Sequence, residues 1–280
     1  MKQLARGICA PKGFMAAGTF CGISKTIIKP DVALIWSENR CAAAGVYAGS
    51  RIKGAPVSVS IEHLQNGWAQ AVICNSGIAN TGGPYGMEMA EDICSFLADI
   101  GNIDAQDIII ASVGTTSKPF RVSPIRNALK SLVHSLGQEK GRDAAEAING
   151  DRQSVQECAV SFSVQGQTCM LGGMAHVAVG STYAKNDSPE TVAFFTTDVA
   201  IVPGLLQQML RQELPENFSS CVDTVGSTTN NMVTILANGL AGNMVIKEKN
   251  TDYGVVCTAL RCAIGQLSNL PEKVKDNIAG

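Results

Sequence analysis

The sequence predicts an α/β protein, and three observations carry that expectation. Apolar runs of strand length alternate along the chain with apolar residues at helical spacing. One run, Ile108-Ile109-Ile110-Ala111-Ser112-Val113, is almost continuously apolar, as expected of a strand covered on both faces of its sheet. Turn residues punctuate the runs, and no internal repeat or low-complexity linker divides them.

Taken in order, residues 31–36 and 69–74 read as strands, the second stopping at Asn75-Ser76-Gly77. From Met89 the apolar positions Met89, Ile93, Phe96, Leu97 and Ile100 fall on one helical stripe. Residues 108–113 form the next strand, and Gly114 ends it. Ser123 then offers an N-cap, Pro124 suits a first turn, and Ile125, Leu129, Leu132 and Leu136 line one face before Gly137. Residues 158–164 and 168–171 flank Gln165-Gly166-Gln167, the pattern of a hairpin with a three-residue loop. Residues 192–202 read as a strand, Pro203 opens a helix carrying Leu206, Met209 and Leu210, and residues 232–236 make a further strand. Val256, Leu260, Ala263, Ile264 and Leu267 mark a last amphipathic helix.

Composition bounds the function. A chain of 280 residues with 45% hydrophobic and 16% charged residues can bury a large core and is not disordered. A formal charge of −2, with no long Lys/Arg run, gives nucleic acid or an anionic membrane no electrostatic footing. No stretch of about 18 apolar residues offers a spanning helix, and the N-terminus has no apolar region of a secretory signal. A cytoplasmic setting is expected. Ten cysteines are scattered without a Cys-x-x-Cys, beside only three histidines, so no metal site and no cofactor is expected.

Glycine-rich turns after strands are the first places for chemistry. The segment from Asn75 to Gly83 follows a strand and precedes a helix, where backbone N–H groups can meet an anion; the favoured reading is a tight turn satisfied by Asn and Ser side chains. Val113-Gly114-Thr115-Thr116 can expose donors to an oxyanion or simply end a strand. Of the histidines, His63 reads as a solvated helix position and His134 lacks an acidic partner at helical spacing. His176, between Gly172-Gly173-Met174-Ala175 and Val177-Ala178-Val179, is the one in a suggestive setting.

Several collinear stretches carry a resemblance. Ala10-Pro11-Lys12-Gly13-Phe14-Met15-Ala16-Ala17-Gly18, Lys29-Pro30-Asp31-Val32-Ala33-Leu34-Ile35, Ala42-Ala43-Ala44-Gly45-Val46-Tyr47, Arg51-Ile52-Lys53-Gly54-Ala55-Pro56-Val57 and Asn75-Ser76-Gly77-Ile78-Ala79-Asn80 begin it. Ala111-Ser112-Val113-Gly114, Phe194-Phe195-Thr196-Thr197-Asp198 and Leu236-Ala237-Asn238-Gly239 continue it in order. Together they resemble the ornithine acetyltransferase family, the bifunctional glutamate N-acetyltransferases of arginine biosynthesis.

The resemblance implies a layered fold with two β-sheets between helix layers, residues 1–190 matching the family's α chain and 191–280 a shortened β chain whose C-terminal ligands are absent. It also implies self-cleavage before a threonine, whose freed amine activates its own hydroxyl to carry an acetyl group from N-acetylornithine to glutamate. Aligned on Phe194-Phe195-Thr196-Thr197-Asp198, the family's threonine falls on Glu190, with Thr191 one place later; a one-residue slip makes Thr191 the nucleophile and Glu190–Thr191 the scissile bond. On a strand that slip turns the hydroxyl to the opposite face. The oxyanion glycine falls on Gly114, its threonine partner on Val113, the active-site lysine on His176, and the substrate-contacting threonines near Asn149-Gly150-Asp151. The segment Asp223-Thr224-Val225-Gly226-Ser227-Thr228-Thr229 stands where the family has an Asp-Gly-Asp-Thr-Ser type run. Three functions follow: a divergent acyltransferase or amidase acting through Thr191 on an amino-acid-like substrate; a non-catalytic scaffold or regulatory subunit of a homo- or hetero-oligomer; or a small-molecule binding protein.

Overall fold

The computed structural model describes residues 2–3, 7–23, 28–47, 53–81, 83, 85–115, 118–149, 155–178, 190–214 and 230–268. In chain order the elements are β1 (Lys2–Gln3), β2 (Phe14–Thr19), β3 (Val32–Tyr47), α1 (Ala55–His63), β4 (Trp68–Asn75), α2 (Gly86–Gly101), β5 (Ile108–Ser112) and α3 (Val122–His134). They continue with α4 (Gly141–Asn149), β6 (Gln156–Val164), β7 (Gln167–Ala178), β8 (Glu190–Thr197), α5 (Pro203–Glu213), β9 (Met232–Ala237) and α6 (Thr251–Ser268).

The strands form one hydrogen-bonded path, β1-β6-β7-β8-β9-β3-β4-β5, with β2 attached to β3. β3 is the pivot. Its first residues pair with β2 and β4, its register shifts between Trp36 and Cys41, and Ala42–Tyr47 pair with β9. The two expected sheets are therefore two halves of one ladder that share a bent strand.

Side-chain alternation sorts the halves into three cores. Ala33, Ile35, Val72, Cys74, Ile109 and Ala111 from one half meet Met174, Val192, Phe194 and Leu236 from the other in a central core. The halves thus face each other. The opposite parity of the first half, Leu34, Ile73 and Ile110, packs under Ile93, Leu97, Ile125 and Leu129 of α2 and α3. The opposite parity of the second half, Val160, Leu171, Phe195 and Ile235, packs under Leu206, Met209, Leu260 and Ile264 of α5 and α6. Phe194 and Phe195 are both fully buried, on opposite faces of β8, and each contributes on the order of 2–3 kcal/mol of burial.

Small residues let α4 approach closely. Ala144, Ala145, Ala147 and Ile148 enter the central core, and a methyl on Gly18 would overlap the Asp143 carbonyl. No helix among the described residues is long and apolar enough to cross a membrane.

Several local readings are corrected. Ser123 does not cap: α3 begins at Val122 after Arg121, with no side-chain cap, because the Pro124 ring fits anywhere in the first turn. The hairpin turn has two residues, since Val164 pairs with Gln167, and Gln165 and Gly166 both take positive φ as a tight primed turn requires. β8 ends at Thr197, because Asp198 turns away to accept hydrogen bonds from the N–H groups of Lys12 and Met170. His63 is not simply solvated: its Nδ1 lies 2.8 Å from the Ile108 carbonyl oxygen.

Candidate active site

β8 runs between β7 and β9. Across β7, Glu190 pairs with Ala178, Thr191 with Val177 and Val192 with His176, while parallel β9 begins opposite Val192 at Met232. The Thr191 N–H donates to Asn231 Oδ1 at 2.9 Å, so the residue just before β9 holds the opening of β8. Thr191 is only 3% exposed.

Alternation decides which way Thr191 faces. Val192 and Phe194 enter the central core beside Met174, whereas Ala193 and Phe195 enter the outer core under α5 and α6. Thr191 shares the face of Ala193 and Phe195. His176, directly opposite Val192 and two residues from Met174, shares the central face. The two side chains lie on opposite faces of the same sheet half.

The remaining residues gather on the central side. Val113 is fully buried in the central core, and its N–H donates to the Asn75 carbonyl at 2.9 Å. Its side chain supplies packing where the family resemblance implies a hydroxyl. Gly114 follows with φ +127, and an added methyl would stand 2.5 Å from the Gly77 carbonyl carbon, so no other residue fits. The turns after β4 and β5 interlock: Thr115 N–H donates to the Gly77 carbonyl at 3.1 Å and Ala79 N–H to the Thr115 carbonyl at 3.0 Å. Asn149 ends α4, its Nδ2 donating to the Ala145 carbonyl at 2.8 Å and to the Ala175 carbonyl at 3.2 Å, one residue from His176. Gly150 and Asp151, like the 223–229 segment, lie outside the described residues.

The Asn75–Gly83 turn follows the structural reading. Asn75 Nδ2 donates to the Ile78 carbonyl at 2.8 Å, Asn80 Nδ2 to the Gly86 carbonyl at 2.8 Å, and Ser112 Oγ accepts from Asn80 N–H at 3.0 Å. Ser76 Oγ donates to the Ala147 carbonyl at 2.6 Å and ties this turn to α4.

Sequence reasoning missed Asn230 and Asn231, whose only signal is an Asn pair ahead of an apolar strand run. The buried thiols are no rival nucleophiles. Burial pushes Cys41, Cys94 and Cys158 up to about 12, and Cys9 rises to about 12 through burial reinforced by Glu157 and Glu139.

Two sheet halves face to face between helix layers define a layered α/β class of protein. The L-aminopeptidase D-Ala-esterase/amidase of Ochrobactrum anthropi, described as a variant of the Ntn hydrolase fold, matches over 94% of this chain and 85% of its own, with a TM-score of 0.54 at 10% identity. That likeness concerns the fold alone.

The ArgJ family model matches residues 15–273, and this chain belongs to the ArgJ family. It is 34% identical over 270 residues to the arginine biosynthesis bifunctional protein ArgJ of Symbiobacterium thermophilum, covering 96% of this chain and 66% of that protein. The chain therefore spans just under two thirds of the length of that relative. The crystal structure of ArgJ from Bacillus halodurans matches with a TM-score of 0.60 at 26% identity, over 68% of this chain and 97% of that one. The ornithine acetyltransferase of Mycobacterium tuberculosis, solved with ornithine, matches with a TM-score of 0.51 at 26% identity, over 60% and 87%.

Proposed function

We propose that this chain acts on an acylated amino-acid-like substrate by acyl transfer or amide hydrolysis, after cleavage between Glu190 and Thr191. The observation that supports this best is Thr191 itself: a buried threonine at the opening of β8, with its N–H held by Asn231. Cleavage there converts that N–H into a free α-amine, the base that activates the hydroxyl of an N-terminal threonine. It also removes the covalent link to Glu190, whose pairing with Ala178 of β7 helps hold Thr191 in the ladder. A chain end frays more readily than a strand interior, so the new terminus can turn its hydroxyl toward the side of His176.

The proton balance is then simple. The hydroxyl proton passes to the α-amine as the oxygen attacks the acyl carbonyl. The oxyanion develops at the Gly114 turn, and the amine returns the proton to the leaving nitrogen. Attack by a second amine completes transfer, and attack by water completes hydrolysis. An oligomeric assembly belongs to the same proposal and is read by light scattering.

One observation favours a second reading. In the uncut chain Thr191 faces the outer core, away from His176, and Val113 has no hydroxyl to donate. A member of the family that binds an amino acid or a partner chain without catalysis fits those two facts.

Denaturing mass spectrometry after long incubation with N-acetyl-L-ornithine separates the readings. Acyl chemistry predicts fragments ending at Glu190 and beginning at Thr191, one acetyl mass on the latter, and loss of both in Thr191→Ala. A persistently intact, unacetylated chain establishes the non-catalytic reading.

A further inference from the structure

We infer that the N-terminus of α1 together with the Asn230 amide forms a carboxylate-binding subsite. The inference rests on the proposal that this chain takes an amino-acid-like molecule. Asn230 is 2% exposed, yet neither its Oδ1 nor its Nδ2 has a hydrogen-bond partner. A buried primary amide unpaired at both ends is rare in a folded protein, because it forgoes the hydrogen bonds water would give it. It calls for a ligand.

Its neighbour identifies the ligand's chemistry. Gly54 is the N-cap of α1, in extended conformation, with no side-chain cap. A methyl on Gly54 would overlap Asn230 Oδ1 and stand 3.3 Å from the Asn80 carbonyl oxygen, so the missing side chain is what lets the amide reach the helix start. The first-turn N–H groups of Ala55 and Val57 have no partner within the helix, and Pro56 has none to offer. The helix carries no acidic residue in that turn to balance the positive end of its dipole. A flip of the Asn230 amide, whose two ends are of nearly equal shape, presents Nδ2 to the same point.

Backbone N–H groups and one amide make a neutral donor set. That set suits a singly charged, planar carboxylate, and the helix N-terminus supplies the favourable field. The place is right as well, since the adjoining Asn231 holds the opening of β8. A substrate carboxylate anchored on α1 would therefore lie one residue along the chain from the side chain that holds the Thr191 N–H.

The test is equilibrium binding to the full chain carrying Thr191→Ala, which separates binding from chemistry. L-ornithine and 1,4-diaminobutane, which lacks the carboxylate, are titrated calorimetrically. The subsite predicts that ornithine binds at least about tenfold tighter than the diamine, the scale of one or two hydrogen bonds to a charged group. Asn230→Asp, placing a like charge against the carboxylate, is expected to remove that preference without weakening the diamine. Gly54→Ala, which drives the amide out of place, is expected to act the same way and serves if Asn230→Asp does not fold. A parent protein with no preference for ornithine, or variants that weaken both ligands equally, overturns the inference. Failure of the acyl-transfer reading is distinguishable, because it shows as an intact chain in mass spectrometry whatever these affinities are.

Discussion

Gly114→Ala puts the interlocked turns after β4 and β5 to a quantitative test. Gly114 holds φ +127, outside the regions open to residues with a side chain, and such a conformation costs a non-glycine residue about 1–3 kcal/mol. The added methyl would also stand 2.5, 2.7 and 2.8 Å from the carbonyl carbon, oxygen and nitrogen of Gly77. Those are backbone atoms in a turn that Gly77 itself holds at φ +92, so no flexible side-chain end can yield. Overpacking of this kind adds about 1–3 kcal/mol. The sum is about 2–6 kcal/mol, a large share of the margin of a typical domain. At roughly 2–4 °C per kcal/mol for a chain of this size, melting should fall by several degrees or more. The assay is urea unfolding followed by circular dichroism, with Gly166→Ala as comparison, because Gly166 also has positive φ but its added methyl meets nothing within 4 Å. A Gly114→Ala loss no larger than that of Gly166→Ala refutes the claim that backbone crowding against Gly77 is what demands glycine.

Three further outcomes follow from other parts of the fold. Glu213 has a side chain only 1% exposed and is paired with Arg261 at 2.8 Å, so Arg261→Ala strands a buried carboxylate. Because Arg261 is 64% exposed, the loss should be about 1–3 kcal/mol, below the 3–5 typical of fully buried pairs; urea midpoints read it, and Glu213→Gln in the same background should recover part. Asn231→Ala leaves the buried Thr191 N–H without its acceptor, and hydrogen exchange at the start of β8 should quicken while the β6–β7 hairpin stays protected. Cys9, Cys41, Cys94 and Cys158 stand at about 12, so in the native protein at pH 8 iodoacetamide should leave them unmodified. For these thiols the folded value is the raised one. Their contribution to stability is complete below the unfolded value near 9 and is lost as pH climbs toward 12, which thermal melts across that window will show.

How far the residues alone reach can be seen element by element. α2 and α3 were legible because each buries one face, which imposes a period of 3.6 on the apolar residues, and β4, β5 and β9 because burial on both faces leaves a short, nearly continuous apolar run. β3 was legible only to Trp36. Its continuation through buried Ser37, exposed Glu38, Asn39 and Arg40 and an alanine run has no strand period of its own, and Ala42–Tyr47 extend the strand because β9 pairs with them. α4 escaped notice for a related reason: Ala144, Ala145 and Ala147 are weak hydrophobic signals that matter only where Gly18 lets the helix come close. At the candidate site, Thr191, Gly114, Val113, His176 and Asn149 came from motif resemblance. Asn230 did not, since nothing in an Asn-Asn pair announces that one amide holds a strand end and the other lies buried against a helix terminus.

The sequence by itself determined the α/β class, the family and the order of its motifs, because those depend on local periodicity and on residues close together in the chain. It also raised the one-residue displacement of the threonine from its expected place. Only the tertiary structure decided what that displacement means. Thr191 belongs to the face of Ala193 and Phe195 because β8 is pinned on both edges, by β7 and by β9, and a ladder bonded on two sides admits a single register.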